Sequence, residues 1–180
     1  AYRRAVFRAL GGFREELGAV EDTELAFRVA GAGHRLVAAP AAWVAHRHPE
    51  RLRDYVRRKF RYGLWGAKAY LGHPARLAED TRSPWSLKLQ LLLAPALPGA
   101  VMLLPRSATA GLAAALLTLA FLATCLPYLR RTWPRHGAAV ALAGPPLFLL
   151  RALALDAGLF LGLVAGPWRS RPPHQAAGEE

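Results

Sequence analysis

The pattern of apolar and polar positions changes character near the middle of this 180-residue chain. Up to about residue 85 apolar side chains are interleaved with charge; from 86 to about 167 Leu, Ala, Val, Gly and Pro dominate. Residues 2–9 read as a short segment with Val6 and Phe7 as core contacts, closed by Gly11-Gly12. Two glycines permit a positive-φ turn or a close backbone approach, and Phe13 is the expected anchor of that turn. After a loop over 15–20, Asp22 or Thr23 is expected to cap a helix, because unpaired N–H groups and the helix dipole favour an acid there. Leu25 and Val29 share a face, and so do Glu24 and Arg28, with the acid nearer the N-terminus as a helical pair prefers. Gly31 to Gly33 ends the helix.

Residues 35–40 and 42–46 read as two short extended pieces separated by Pro40, a residue suited to an edge or a strand start. From 50 to 71 the stripe Leu52, Tyr55, Val56, Phe60 and Leu64 predicts a helix. Arginines 51, 53, 57, 58 and 61 fill much of its other side. Such a basic amphipathic helix suits a membrane surface. Residues 72–86 connect it to the apolar half.

A span of the hydrocarbon core takes about 20 residues. The candidates are 87–105, with Pro95 and Pro98 as kinks that membrane helices tolerate, then 108–129, and a third stretch, 138–167. The third holds Pro145-Pro146, Arg151 and Asp156. Either charge at a bilayer centre costs about 2.5–3.5 kcal/mol. Five residues apart, the two lie about 140° apart around a helix, which is poor for pairing. The expectation is a broken or tilted span, or partners on neighbouring helices. Residues 168–180 read as a polar tail.

The net charge of +12 is carried almost wholly by arginine. Such an excess can signal nucleic acid, anionic lipid or phosphorylated substrates. No zinc spacing or RNA-binding signature accompanies it, so nucleic acid is not an expected partner. The cations flank apolar runs instead, which points to membrane lipids. The basic segment before the first span and Arg130, Arg131 and Arg135 after the second would then be cytoplasmic. The expected location is a multi-pass cell-membrane protein with its charged part facing the cytoplasm. Asn and Ile are absent, a sign that coding bias contributes to the arginine content. The lone Cys125 lies in an apolar run and supplies neither a disulfide nor a thiolate metal site. The chain lacks an initiating Met, shows no signal peptide and reads as a fragment without its natural N-terminus.

Glu21-Asp22 is the acidic pair in a setting that suggests catalysis, since a carboxylate at a helix start beside a glycine turn can take a proton from a hydroxyl. Spacing alone is equally served by helix capping. The ordered series Leu10-Gly11-Gly12-Phe13, Glu21-Asp22-Thr23-Glu24-Leu25, Arg28, Gly33, Pro40 and Val44-Ala45-His46 resembles the C-terminal half of the catalytic domain of family 2 glycosyltransferases. The resemblance covers about residues 1–65. It implies an α/β fragment, the C-terminal part of a GT-A Rossmann-like domain, followed by α-helical transmembrane segments. It divides the chain into a catalytic part over 1–71, a connection over 72–86, a membrane region over 87–167 and the tail.

In that family the acid matching Asp22 is the general base of inverting transfer from a nucleotide-sugar donor, and the intact enzyme uses a divalent metal, Mg or Mn. The resemblance makes Glu21, Arg58 and Arg61 candidates for binding acceptor or phosphate, and His46 a candidate metal ligand. The bland alternatives are a hydrogen-bonded strand-end histidine for His46 and a solvated or lipid-facing surface for the arginines. Arg58-Lys59-Phe60-Arg61-Tyr62 stands where processive relatives carry Gln-x-x-Arg-Trp, so a processive synthase is not expected. Two departures stand out: Arg14 replaces an acid often found after Gly-Gly-Phe, and Val20 replaces a Gly often found before the acidic pair. The family's Asp-x-Asp, which binds metal and nucleotide diphosphate, is absent; the aspartates are Asp22, Asp54, Asp80 and Asp156. The reading is the acceptor side of a membrane-anchored, non-processive glycosyltransferase with a glycan or lipid-linked acceptor, inactive without its donor-binding half. The rival readings are a non-catalytic membrane scaffold or transport subunit and a nucleic-acid binder.

Overall fold

The computed structural model describes residues 2–37, 39, 41–45, 49–75, 84–103 and 108–166. Helix α1 (Arg4–Ala9) closes into a left-handed turn at Gly11 and Gly12, with φ of 74° and 69°. The Gly12 N–H donates to the Phe7 carbonyl at 2.9 Å. The Phe7 ring lies 3.1 Å from where a Cβ on Gly12 would stand. Phe13 packs edge-on against Phe7 at 5.3 Å and Tyr2 at 6.2 Å. The anchor expected at this turn is thus a cluster of three rings.

Helix α2 (Glu21–Gly31) starts earlier than its acidic residues suggest. Val20 is the cap residue, and no side chain caps the helix; Glu21, Asp22 and Glu24 occupy the first turn, where the dipole favours them. Val20 has φ 61°, the left-handed region that a β-branched side chain avoids. A glycine is at home in that conformation, which gives the family's glycine at this point a physical reason. Leu25, Ala26, Phe27 and Val29 are buried. Phe27 meets Tyr70 at 5.4 Å and His73 at 5.7 Å, which seats α2 on the far end of helix α3 (Leu52–Gly72).

The expected α/β, GT-A Rossmann-like fragment is not what the chain forms. Helices hold 76% of the described residues, and no strand occurs among them. Residues 34–37 and 42–45 have no regular structure, with Val37, Trp43 and Val44 80% or more exposed. A strand needs a neighbour for its N–H and C=O groups and a face to bury. Neither is supplied to these pieces by the described residues. Pro40 and His46, at the ends of the two expected strands, lie outside the described residues.

The apolar half folds as helices α4 (Trp85–Leu93) and α5 (Ala96–Leu103), then a helix over Ala108–Val164 that is broken at Gly137 (φ 81°, ψ 172°). We call its arms α6 (108–136) and α7 (138–164). Pro95 has no N–H to continue the α4 ladder, and α4 gives way to α5 there. The fold-back at Gly137 is antiparallel. The Tyr128 hydroxyl donates to the Val140 carbonyl at 3.1 Å, its ring meets Phe148 at 4.8 Å, and it fills the space left by the missing Cβ of Gly144. Further along, Phe121 and Cys125 of α6 bury with Ala152 of α7 and Ala94 and Leu97. The break therefore falls at Gly137, while α7 runs on through Pro145-Pro146. By length and composition Trp85–Leu103 and Thr109–Val164 could each cross a membrane, and the second holds two such lengths.

Arg151 finds its partner on a neighbouring helix. It donates to Gln90 Oε1 at 2.5 Å and lies 4.7 Å over the Phe148 ring. Gln90, 1% exposed, passes its other end to Thr124 Oγ1 at 3.0 Å. Arg151 Nε and Asp156 Oδ2 are buried without a hydrogen-bond partner among the described residues.

Candidate active site

The site is built by the start of α2 and one face of α3. Asp54, Arg57, Arg58 and Arg61 recur at i, i+3, i+4 and i+7, so they share one side of a helix. That side faces residues 18–23. Together they enclose a cavity of about 830 Å³ lined by Glu21, Asp22, Asp54, Arg57, Arg58 and Arg61 among others. The four candidates Glu21, Asp22, Arg58 and Arg61 are thus neighbours across 40 residues of chain. His46 lies outside the described residues. Asp54 and Arg57 were not singled out by sequence reasoning, although the same helical spacing that joins Arg58 to Arg61 includes them.

Asp22 is exposed, and its Oδ1 accepts from the Thr23 N–H at 2.7 Å and from Thr23 Oγ1 at 3.3 Å. No cation pairs with it among the described residues, so its remaining lone pairs open to the cavity. Arg58 stacks 5.3 Å over Tyr62, and Arg61 donates to the Gly18 carbonyl. The Trp65 indole nitrogen comes within 2.7 Å of where a Cβ on Gly18 would stand, so this loop approaches α3 closely because residue 18 is glycine. On the neighbouring face, Lys59 lies over the Tyr55 and Tyr62 rings at 5.4 and 5.5 Å. Burial, then the charges of Arg151 and Arg58, hold its ammonium below the ordinary lysine range.

Beneath the acidic pair, Glu24 is buried and held by two arginines and a histidine. Arg28 binds it through Nε at 2.9 Å and Nη2 at 2.8 Å, Arg14 Nε lies at 3.1 Å, and His73 Nε2 at 3.3 Å. The same Arg28 guanidinium donates to the Leu10 carbonyl and, at 2.7 Å, to that of Gly12. The Gly-Gly turn is therefore tied to α2 through Arg28. Arg14, the departure from the family pattern, serves as a further cation on Glu24. The helical pair read from spacing is one edge of this cluster; its burial was not visible in the spacing.

The sequence model of the group described as "Glycosyl transferase family group 2" matches residues 1–160. The chain belongs to this family. The family 2 chain is 37% identical over 91 residues to the pre-mycofactocin glycosyltransferase of Mycobacterium tuberculosis, an overlap of 51% of this chain and 19% of that protein. It is 40% identical over 67 residues to the O-antigen chain rhamnosyltransferase WbaN of Salmonella anatum, covering 37% of this chain and 21% of the relative. The chain thus spans about a fifth of the curated relatives it matches. No solved structure matches it significantly.

Among the described residues the donor set does not fit a divalent metal. No group of three or more His, Cys, Asp or Glu that could hold one occurs among the described residues. The carboxylates of the cavity are instead interleaved with arginines.

Proposed function

We propose that this family 2 chain forms the acceptor side of a membrane-anchored glycosyltransferase, with Asp22 as general base. The observation that carries the reading is one cavity in which an exposed carboxylate, with no cation paired to it among the described residues, faces three arginines. As an acceptor hydroxyl attacks the anomeric carbon of a nucleotide sugar, Asp22 takes its proton. The new C–O bond forms as the bond to the diphosphate oxygen breaks, and the nucleoside diphosphate leaves with the electron pair. Attack opposite the leaving group inverts the anomeric centre. Arg57, Arg58 and Arg61 supply charge to steady a phosphate on donor or acceptor. Asp54 adds an acceptor of hydrogen bonds on the α3 wall.

The membrane part of the reading rests on composition. Residues 1–71 carry the site, 72–86 connect, and 87–167 anchor the chain through several passes, followed by the tail. The basic residues before the first span and at 130–135 favour a cytoplasmic cavity.

The test uses the full natural protein in its own membranes with radiolabelled UDP-glucose, GDP-mannose and dTDP-rhamnose as donors. Asp22→Asn is expected to lower incorporation by about 10²-fold or more, with protein level and extraction profile unchanged. Transfer at the wild-type rate would remove Asp22 as base and return the chain to the scaffold reading.

A further inference from the structure

Helix α3 has two working faces. One carries Asp54, Arg57, Arg58 and Arg61 into the cavity. The other meets α7 backbone to backbone. A Cβ on Gly63 would overlap the Leu155 carbonyl oxygen, and one on Gly158 would overlap that of Phe60. A Cβ on Gly162 would stand 2.5 Å from the Leu64 carbonyl oxygen and 2.8 Å from the Ala67 Cβ. Two other glycines, Gly66 on α3 and Gly99 on α5, have open space at the same position. The close approach is therefore a property of one seam, not of glycine-rich composition. Small residues let membrane helices pack this closely.

Seam and cavity are reached by consecutive residues of α3. Phe60, whose carbonyl meets Gly158, precedes Arg61, which lines the cavity and binds Gly18. On its outer side α3 is also held by the Trp65 contact with Gly18. A helix gripped on both sides has no slack to absorb a shift.

We infer that Gly158 and Gly162 are positioning residues: through α3, the apolar arm sets where Arg61 stands in the cavity. This rests on the transferase reading of that cavity. An alanine at 158 forces the helices apart, and a displacement near 1 Å at a charged catalytic group costs up to about 10²-fold in rate.

The test is a double-mutant cycle in the full natural protein, assayed in its membranes with the same three nucleotide sugars. Gly158→Ala is expected to lower the transfer rate about 10- to 100-fold, while Gly66→Ala matches wild type. Arg61→Ala also lowers it, and Gly158→Ala/Arg61→Ala is no slower than the worse single variant, because both act on one group. General destabilisation would instead multiply the two losses. Gly162→Ala, whose contacts are softer, carries the test should Gly158→Ala not accumulate. A Gly158→Ala rate equal to that of Gly66→Ala, or fully multiplicative losses, overturns the seam while leaving the cavity reading intact. Normal transfer by Arg61→Ala overturns the cavity reading, and the positioning role falls with it.

Discussion

Around α2 a buried carboxylate is met by two guanidinium charges and an imidazole; among α4, α6 and α7 a guanidinium is met by neutral groups. Glu24 sits among Arg28, Arg14 and His73. Arg151 has the Gln90 amide and the Phe148 ring. The head is rich in arginine, so a buried acid there can gather Arg28 from α2 and Arg14 from the loop before it, with His73 at the end of α3 also in reach. The apolar half offers few acids, and bringing one into hydrocarbon is itself costly. A side-chain amide bridging Thr124 and Arg151 is the cheaper device. The head thus gains strong coupling between its elements, since removing one charge strands the others. The bundle gains register by seating Arg151 against an amide instead of an acid.

The contrast can be broken first at Glu24. Glu24→Ala leaves the part-buried Arg28 without its carboxylate partner. Loss of one member of a buried pair costs about 3–5 kcal/mol, read as a fall in the denaturant midpoint of the detergent-solubilised protein. A cost below that of any bundle substitution would show that charge pairing does not govern the head. Gln90→Leu tests the other side. It removes the acceptor from Arg151, at an expected cost of about 2 kcal/mol, read in the same unfolding assay. No change would mean that the arginine reaches water or headgroups on its own. The smallest effect is expected at Val20, where the head stores backbone strain. Val20→Gly should raise stability by about 1 kcal/mol, the relief of left-handed strain less the entropy that glycine loses on folding. A destabilised variant would contradict the φ of this residue.

Much of the helical plan was legible because it depends on local pattern. The 3.6-residue stripe of α3, the break at Pro95 and the apolar runs follow from side chains within one or two turns of each other. The start of α2 was misplaced by two or three residues, because the acids of its first turn look like caps while Val20 takes the cap position without a side-chain bond. The extended pieces beyond Gly33 failed for a different reason. Strand formation depends on a neighbour, and the described residues supply none.

The candidate site divides the same way. By itself the sequence determined which chemistry is available: an acidic pair at a helix start, a run of arginines at helical spacing, and an apolar half with few charges. It also determined that Arg28 and Glu24 share a face. Only the tertiary structure decided that Asp22 and Arg58 share a cavity, that Glu24 is buried among two arginines and a histidine, and that Gly158 abuts Phe60. The reason is range. Spacing reports neighbours along one element, whereas cavities, buried charges and glycine seams arise where elements distant in the chain come into contact.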